Sequence, residues 1–274
     1  MNAWLDILLD TAKDVWSKPA EQWIDDSPKF EDTEILYRET GGDSAIDKQN
    51  LREAMVNAWK AGQANLYIRE LPGRTRVVFL GTAEQFATVP WAFWSRIFVA
   101  IGHPVGYVVV YASPEPRVFP PEGSPIDAEH INGGYSFLCQ QSLVVVYRYE
   151  EVTRVLLHEL LHTACFDNGK PVEHLEANTE AWTEVFLCAL LSRGSRTIFM
   201  RLWKQQCAWM EEQVARLAFA HGVNGEGDYA WRYFTGKMKV LQDHGFYVDC
   251  KTGSKSNLNL RMTTPEWDPL LYKN

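Results

Sequence analysis

Residues 150–166 constrain the fold of this chain more than any other stretch. They read as one helix whose surface is apolar on most sides, through Val155, Leu156, Leu157, Leu160, Leu161, Cys165 and Phe166. A helix that is apolar nearly all round has to be covered by other elements. Its ends are marked. Glu150 and Glu151 put negative charge in the first turn, where the helix dipole favours it, and Asn168-Gly169 followed by Pro171 stops it. Yet the same stretch carries His158, Glu159 and His162. Polar groups that enter a core need partners or a metal ion, so the cover must also satisfy these three side chains.

The flanking sequence supplies that cover. Ahead of the helix, residues 2–16 read as an amphipathic helix with Trp4, Leu5, Leu8, Leu9, Ala12 and Trp16 on one side. A polar loop is expected through Pro19, Asp25, Asp26, Pro28 and Gly41-Gly42, then a helix over 44–60 that buries Leu51, Met55, Val56 and Trp59. Runs 65–69 and 74–80 flank Pro72-Gly73, as a hairpin or a tight connection. A helix over 83–101, a β-branched strand over 105–112, a Pro-rich loop over 114–125 and strands over 135–139 and 143–148 follow. Behind the central helix, helices are predicted over 172–193, over 196–221 with Ser195 as N-cap, and from Asp228 to about 244, and the C-terminal stretch is polar and irregular. The expected fold class is α+β: an N-terminal mixed sheet with helices, ending in the helix of 150–166, then a helical C-terminal lobe. The expected domains are 1–42, a helix and linker; 43–168, the α/β lobe; and 169–274, the mainly helical lobe.

Charge and composition narrow the partners. The formal charge is −8, from 27 basic and 35 acidic residues. Phosphate binding needs a basic stripe, so the balance argues against nucleic acid as a primary partner. No run of about 18 uninterrupted apolar residues exists, so no membrane insertion is expected. The N-terminal apolar stretch is short, interrupted by acids and not preceded by basic residues, unlike a signal peptide. A cytoplasmic location is the expectation. Cys139, Cys165, Cys188, Cys207 and Cys250 are odd in number and contain no CxxC pair, and they are expected as buried free thiols in a reducing compartment.

The segment His158-Glu159-Leu160-Leu161-His162 is an HExxH on a helix. Histidines four residues apart project from one face, one turn apart, so both rings can reach a single ion, and neutral imidazole suits Zn²⁺. Glu159 is displaced around the helix, within reach of a water on the metal without binding the metal itself. A catalytic zinc needs a third protein ligand and an open position. The next helix offers Glu176, Glu180 and Glu184 on one face, with His174 in its first turn as a rival.

Here the sequence, over residues 143–190, resembles the gluzincin metallopeptidases, the thermolysin-like branch of the zincins. In that family the HExxH helix is followed by a second helix of the form Asn-Glu-Ala-x-x-Asp, whose glutamate binds zinc and whose final acid hydrogen-bonds a zinc histidine. Glu180 lies 18 residues after His162 and precedes Ala181, so the resemblance makes it the third ligand. Glu184 falls at the position of the final acid and by the same resemblance orients His158. Thr179 stands where the family has Asn, and Glu184 where it has Asp. The metzincin extension is absent, because Cys165 and Asn168 occupy the places of its Gly and His.

The resemblance implies a zincin-like fold, with 135–139 or 143–147 as the edge strand that pairs with an extended substrate. The first is favoured because Gly133-Gly134 and the long Pro-rich loop lead into it. It also implies a downstream Tyr or His at the oxyanion. His221, Tyr229, Tyr233, His244 and Tyr247 are available, and Tyr229 and Tyr233, one turn apart, are preferred. The activity it implies is zinc-dependent hydrolysis of a peptide or protein substrate, with Glu159 as general base. The alternatives are a non-catalytic zincin-fold binding or regulatory module, and a highly selective regulatory protease with one protein substrate. The intact His158–Glu159–His162 set favours an enzyme, because Glu159 is not needed to bind metal.

Overall fold

In a computed structural model, six strands among the described residues form one sheet: β1 (Ile24–Asp26), β2 (Asn65–Leu71), β3 (Thr75–Gly81), β4 (Tyr107–Tyr111), β5 (Gly134–Ser136) and β6 (Leu143–Val146). Their order is β1-β2-β3-β4-β6-β5. β1, β2 and β3 run antiparallel to one another, β3, β4 and β6 are parallel, and β5 is antiparallel to β6 at the edge. The predicted hairpin is β2–β3, whose turn carries Gly73 at a φ of 71°, a backbone state that glycine adopts without strain. The described residues are 3–41, 45–166, 172–248 and 257–272.

The fold is thus mixed α and β, and the chain divides into two units. The sheet-bearing unit takes 20–116 and 132–166, and the helical unit takes 1–19, 117–131 and 167–274. Each is assembled from separated stretches of sequence, unlike the contiguous segments 43–168 and 169–274.

In the sheet-bearing unit, helices α2 (Phe30–Thr40) and α3 (Leu51–Lys60) cover one face. Ile35, Leu36, Leu51, Met55 and Val56 pack there on Ile68, Val78, Leu80, Val109, Tyr111, Leu143, Val145 and Tyr147. These alternate positions point one way because side chains in a strand alternate between faces. The central strands are apolar on both faces, as sheets covered on both sides are. Helix α7 (Val152–Thr163) packs on β5 and β6, and α5 (Trp91–Ile101) packs on α7, where Trp94 Nε1 donates to Thr153 Oγ1 at 2.9 Å. Every residue of α7 is buried, as its composition requires.

In the helical unit, α8 (Val172–Leu191) is the hub, with α1 (Ala3–Ser17), α9 (Arg196–His221) and α10 (Thr235–Asp243) packed on it. Helix α1 buries Leu5, Leu9, Ala12 and Val15, and Trp16 Nε1 donates to the Leu190 carbonyl at 2.8 Å. A second core gathers Leu217, Trp231, Phe234, Leu260 and Met262 with Ile126 and Ile131, the last two from the 117–131 excursion.

Several expectations are corrected. The loop expected between 17 and 42 contains β1 and α2. Helix α2 buries only Ile35 and Leu36 as apolar residues, beside the carboxylates of Asp32 and Glu39, so it has no apolar stripe to read. The helix expected over 44–60 starts at Leu51. That over 83–101 is two helices, α4 (Ala83–Ala87) and α5, parted at Pro90, which has no N–H to continue a helix. The helix expected from Asp228 to 244 is a 3₁₀ segment, Tyr229–Tyr233, followed by α10, with Phe234 at the break (φ −122°, ψ −78°). A short helix, α6 (Ala128–Ile131), follows the Pro-rich loop, and a 3₁₀ segment, Pro265–Leu270, buries Trp267 in the stretch read as irregular. The cysteine reading is corrected as well. Cys139 and Cys165 form a disulfide, whereas Cys188 and Cys207 are buried free thiols, and Cys250 lies outside the described residues.

Candidate functional site

Helix α7 places His158 and His162 one turn apart, and their Nε2 atoms lie 3.0 Å from each other with the rings nearly perpendicular. Both rings are buried. Two ring nitrogens that converge so closely out of water must share either a proton or a cation. Among the described residues of this unit, this pair could offer two ring nitrogens to one metal ion.

Glu159 is buried beside them, and its carboxylate is held by the edge strand. Ser136 Oγ donates to Glu159 Oε2 at 2.8 Å and lies 3.1 Å from the Glu159 carbonyl oxygen. Gly134 sits two residues before Ser136, on the same face of β5. A Cβ there would stand 2.6 Å from Val155 Cγ1, 2.7 Å from the Val145 carbonyl oxygen and 3.3 Å from Glu159 Oε1. Only glycine lets the strand come this close to α7. Past the strand, the Cys139 N–H donates to the His162 carbonyl at 3.0 Å, and the Cys139–Cys165 disulfide links the same loop to the residues just after α7.

Tyr135, between Gly134 and Ser136, projects to the opposite face of the sheet. Its hydroxyl donates to Glu39 Oε2 at 2.7 Å and accepts from Arg52 Nη1 at 3.0 Å. Burial, with the Glu39 carboxylate beside it, raises the Tyr135 pKa above the ordinary phenol range. The edge strand is thus tied to α2 and α3 on one face and to α7 on the other. The favoured edge candidate, 135–139, overlaps β5, which is at the edge, whereas 143–147 overlaps β6, which is interior.

The remaining predicted residues belong to the helical unit. Glu180 is buried on α8, and Glu176, one turn earlier, is half-buried. Tyr229 and Tyr233 hydroxyls lie 3.1 Å apart. Burial pushes the Tyr233 hydroxyl well above the ordinary phenol range, and the charges of Glu176 and Glu180 add to the shift. These four side chains therefore share one neighbourhood within this unit. Glu184 is fully buried, with Oε1 on Lys237 Nζ and Oε2 accepting from Gln206 Nε2 at 2.8 Å. A carboxylate has lone pairs for further donors beyond these two.

The other candidates take packing positions. His174 is half-exposed and lies 3.8 Å from Glu226. His221 stacks on Phe119, His244 packs on Trp182, and the Tyr247 hydroxyl donates to Glu211 at 2.7 Å. Sequence reasoning assigned no role to Ser136 or Lys237, and none to Gly134 beyond leading into the edge strand. The Gly133-Gly134 pair was the only local signal for Ser136 and Gly134.

No protein-family model matches this chain, and no curated protein or solved structure is significantly similar to it.

Proposed function

We propose that this chain is a zinc-dependent peptidase of gluzincin type. The observation that carries this reading is the convergence of the His158 and His162 Nε2 atoms at 3.0 Å inside a buried helix, with the Glu159 carboxylate held beside them. The donor set fits zinc. His158 and His162 would hold the ion through their Nε2 atoms, which already converge at 3.0 Å, and neutral imidazole is a good zinc ligand. On the sequence spacing, Glu180 completes the ligand set and Glu184 orients His158. Zinc, when bound, polarises the scissile carbonyl and lowers the pKa of a water. Glu159 takes the proton of the attacking water and delivers it to the leaving amine. Tyr233, kept protonated by burial, donates to the developing oxyanion, with Tyr229 bonded to its hydroxyl. The substrate is a peptide in extended form, laid along the open edge of β5.

Metal analysis together with Glu159→Gln tests this. The purified chain should carry about one zinc. The variant should keep the metal and lose roughly a thousandfold in kcat on a peptide that the wild type cleaves. A chain that takes up no zinc, or a Gln variant that cleaves like the wild type, overturns the proposal.

A further inference from the structure

We infer that Ser136 is a positioning residue for Glu159, and that β5 is a holder for the general base as well as a place for substrate. The inference rests on the peptidase reading for its consequence and on geometry alone for its substance.

The hydroxyl of Ser136 has one proton to give, and the two oxygens within its reach both belong to Glu159, the carboxylate Oε2 at 2.8 Å and the backbone carbonyl at 3.1 Å. The carboxylate is the stronger acceptor, because a hydrogen bond to an ionised group is shorter and stronger than a neutral one. Glu159 is a long side chain with three torsions, each with staggered alternatives, and the bond from Ser136 fixes the direction of its Oε2. The room around this side chain is limited on the near side by Gly134, whose missing side chain leaves the space that Glu159 Oε1 borders, 3.3 Å from where a Cβ would stand. Glycine admits the carboxylate and serine fixes its angle, from alternate positions on one face of a single strand.

The holder is itself anchored. Tyr135 ties the strand's other face to Glu39 and Arg52, and the Cys139 N–H and the Cys139–Cys165 bridge tie the following loop to the end of α7. A serine on an unsupported edge would wander with the strand. This one is pinned from both faces and from its C-terminal side, so the distance to Glu159 is set by the fold. A base must stand within hydrogen-bond reach of the proton it removes, and a misplacement of about 1 Å can cost a hundredfold in rate.

The test compares Ser136→Ala, Ser136→Thr and Glu159→Gln in the full-length, zinc-loaded chain, assayed on a quenched-fluorescence hexapeptide mixture and by crystallography. Ser136→Ala should lower kcat about 10- to 100-fold with KM within twofold and leave zinc stoichiometry and thermal midpoint near wild type. In its crystal structure Glu159 should leave its single orientation. Ser136→Thr keeps the hydroxyl and should restore both the rate and the orientation. A purely structural serine predicts instead a lowered midpoint, with no rescue of kcat by Thr. The inference is overturned if Glu159 keeps one unchanged orientation in Ser136→Ala, whatever the activity. If Glu159→Gln cleaves like the wild type while Ser136→Ala frees the Glu159 side chain, the peptidase reading falls and the positioning role stands.

Discussion

At the scale of single residues, the open choice lies on α8. Glu180 and Glu176 are one helical turn apart and both bear on Tyr233, but Glu180 is buried and Glu176 only partly so. The 18-residue spacing from His162 keeps Glu180 as the proposed ligand. Replacing Glu180 by Ala should weaken zinc binding by well over a hundredfold, more than the loss of an outer partner does, while Glu176→Ala should shift it by only a few-fold. Competition against a fluorescent zinc chelator measures both. The reverse ranking would move the third ligand one turn toward the N-terminus of α8. The residues that were legible beforehand are those whose chemistry is local. His158, Glu159 and His162 lie within one and a half turns of a single helix, and helical periodicity alone aligns them. Ser136 was not legible, because its partner is 23 residues away and is met only once β5 has docked on α7. Lys237, which meets Glu184 across 53 residues, was hidden for the same reason.

At the scale of elements, what could be read was whatever carried a clean apolar period or a marked terminus. Helix α9 spans the predicted residues because Ser195 accepts from the Ile198 N–H at one end and Gly222, at a φ of 66°, turns the chain at the other. Helix α2 escaped because buried charge does much of its packing. Asp32 makes a two-pronged pair with Arg76 of β3, at 2.7 Å on each side, where an apolar stripe would have shown in the sequence. The disulfide escaped because residue type says nothing of the approach of two Cα atoms to 4.6 Å. That bridge joins the loop after β5 to the end of α7, and disulfides persist in oxidising surroundings, opposite to the compartment that unpaired cysteines suggest. It closes a loop across 26 residues, for which chain entropy gives about 3.5 kcal/mol of stabilisation. Urea unfolding of the Cys139→Ser/Cys165→Ser double variant should show a loss of that size. A variant as stable as the wild type would mean the bridge does not form in solution.

At the scale of the whole molecule, several described tyrosines are kept from ionising. Tyr111, Tyr135, Tyr149 and Tyr233 all have raised pKa values, in each case chiefly through burial. For Tyr111 the Glu39 charge adds to the rise, while the Thr40 hydroxyl and the charges of Arg52 and Arg38 oppose it. Its hydroxyl donates to the Leu36 carbonyl, so with Tyr135 it fastens α2 to the sheet. A group whose folded pKa exceeds its unfolded value leaves stability untouched below the unfolded value, near 10 for tyrosine. As pH climbs from there toward the folded value, the unfolded chain sheds its proton first and stability is lost. The urea midpoint should therefore hold level to about pH 10 and then fall. Absorbance at about 295 nm should report part of the tyrosinate only as far-ultraviolet dichroism collapses. Tyr111→Phe removes one of these protons and should make the decline shallower, at the cost of the bond to Leu36. If all eleven tyrosines ionise along one curve near pH 10 with the dichroism intact, the hydroxyls are not shielded, and the anchoring of α2, and with it of the strand that holds Glu159, has to be sought in Arg52 and Arg76 instead.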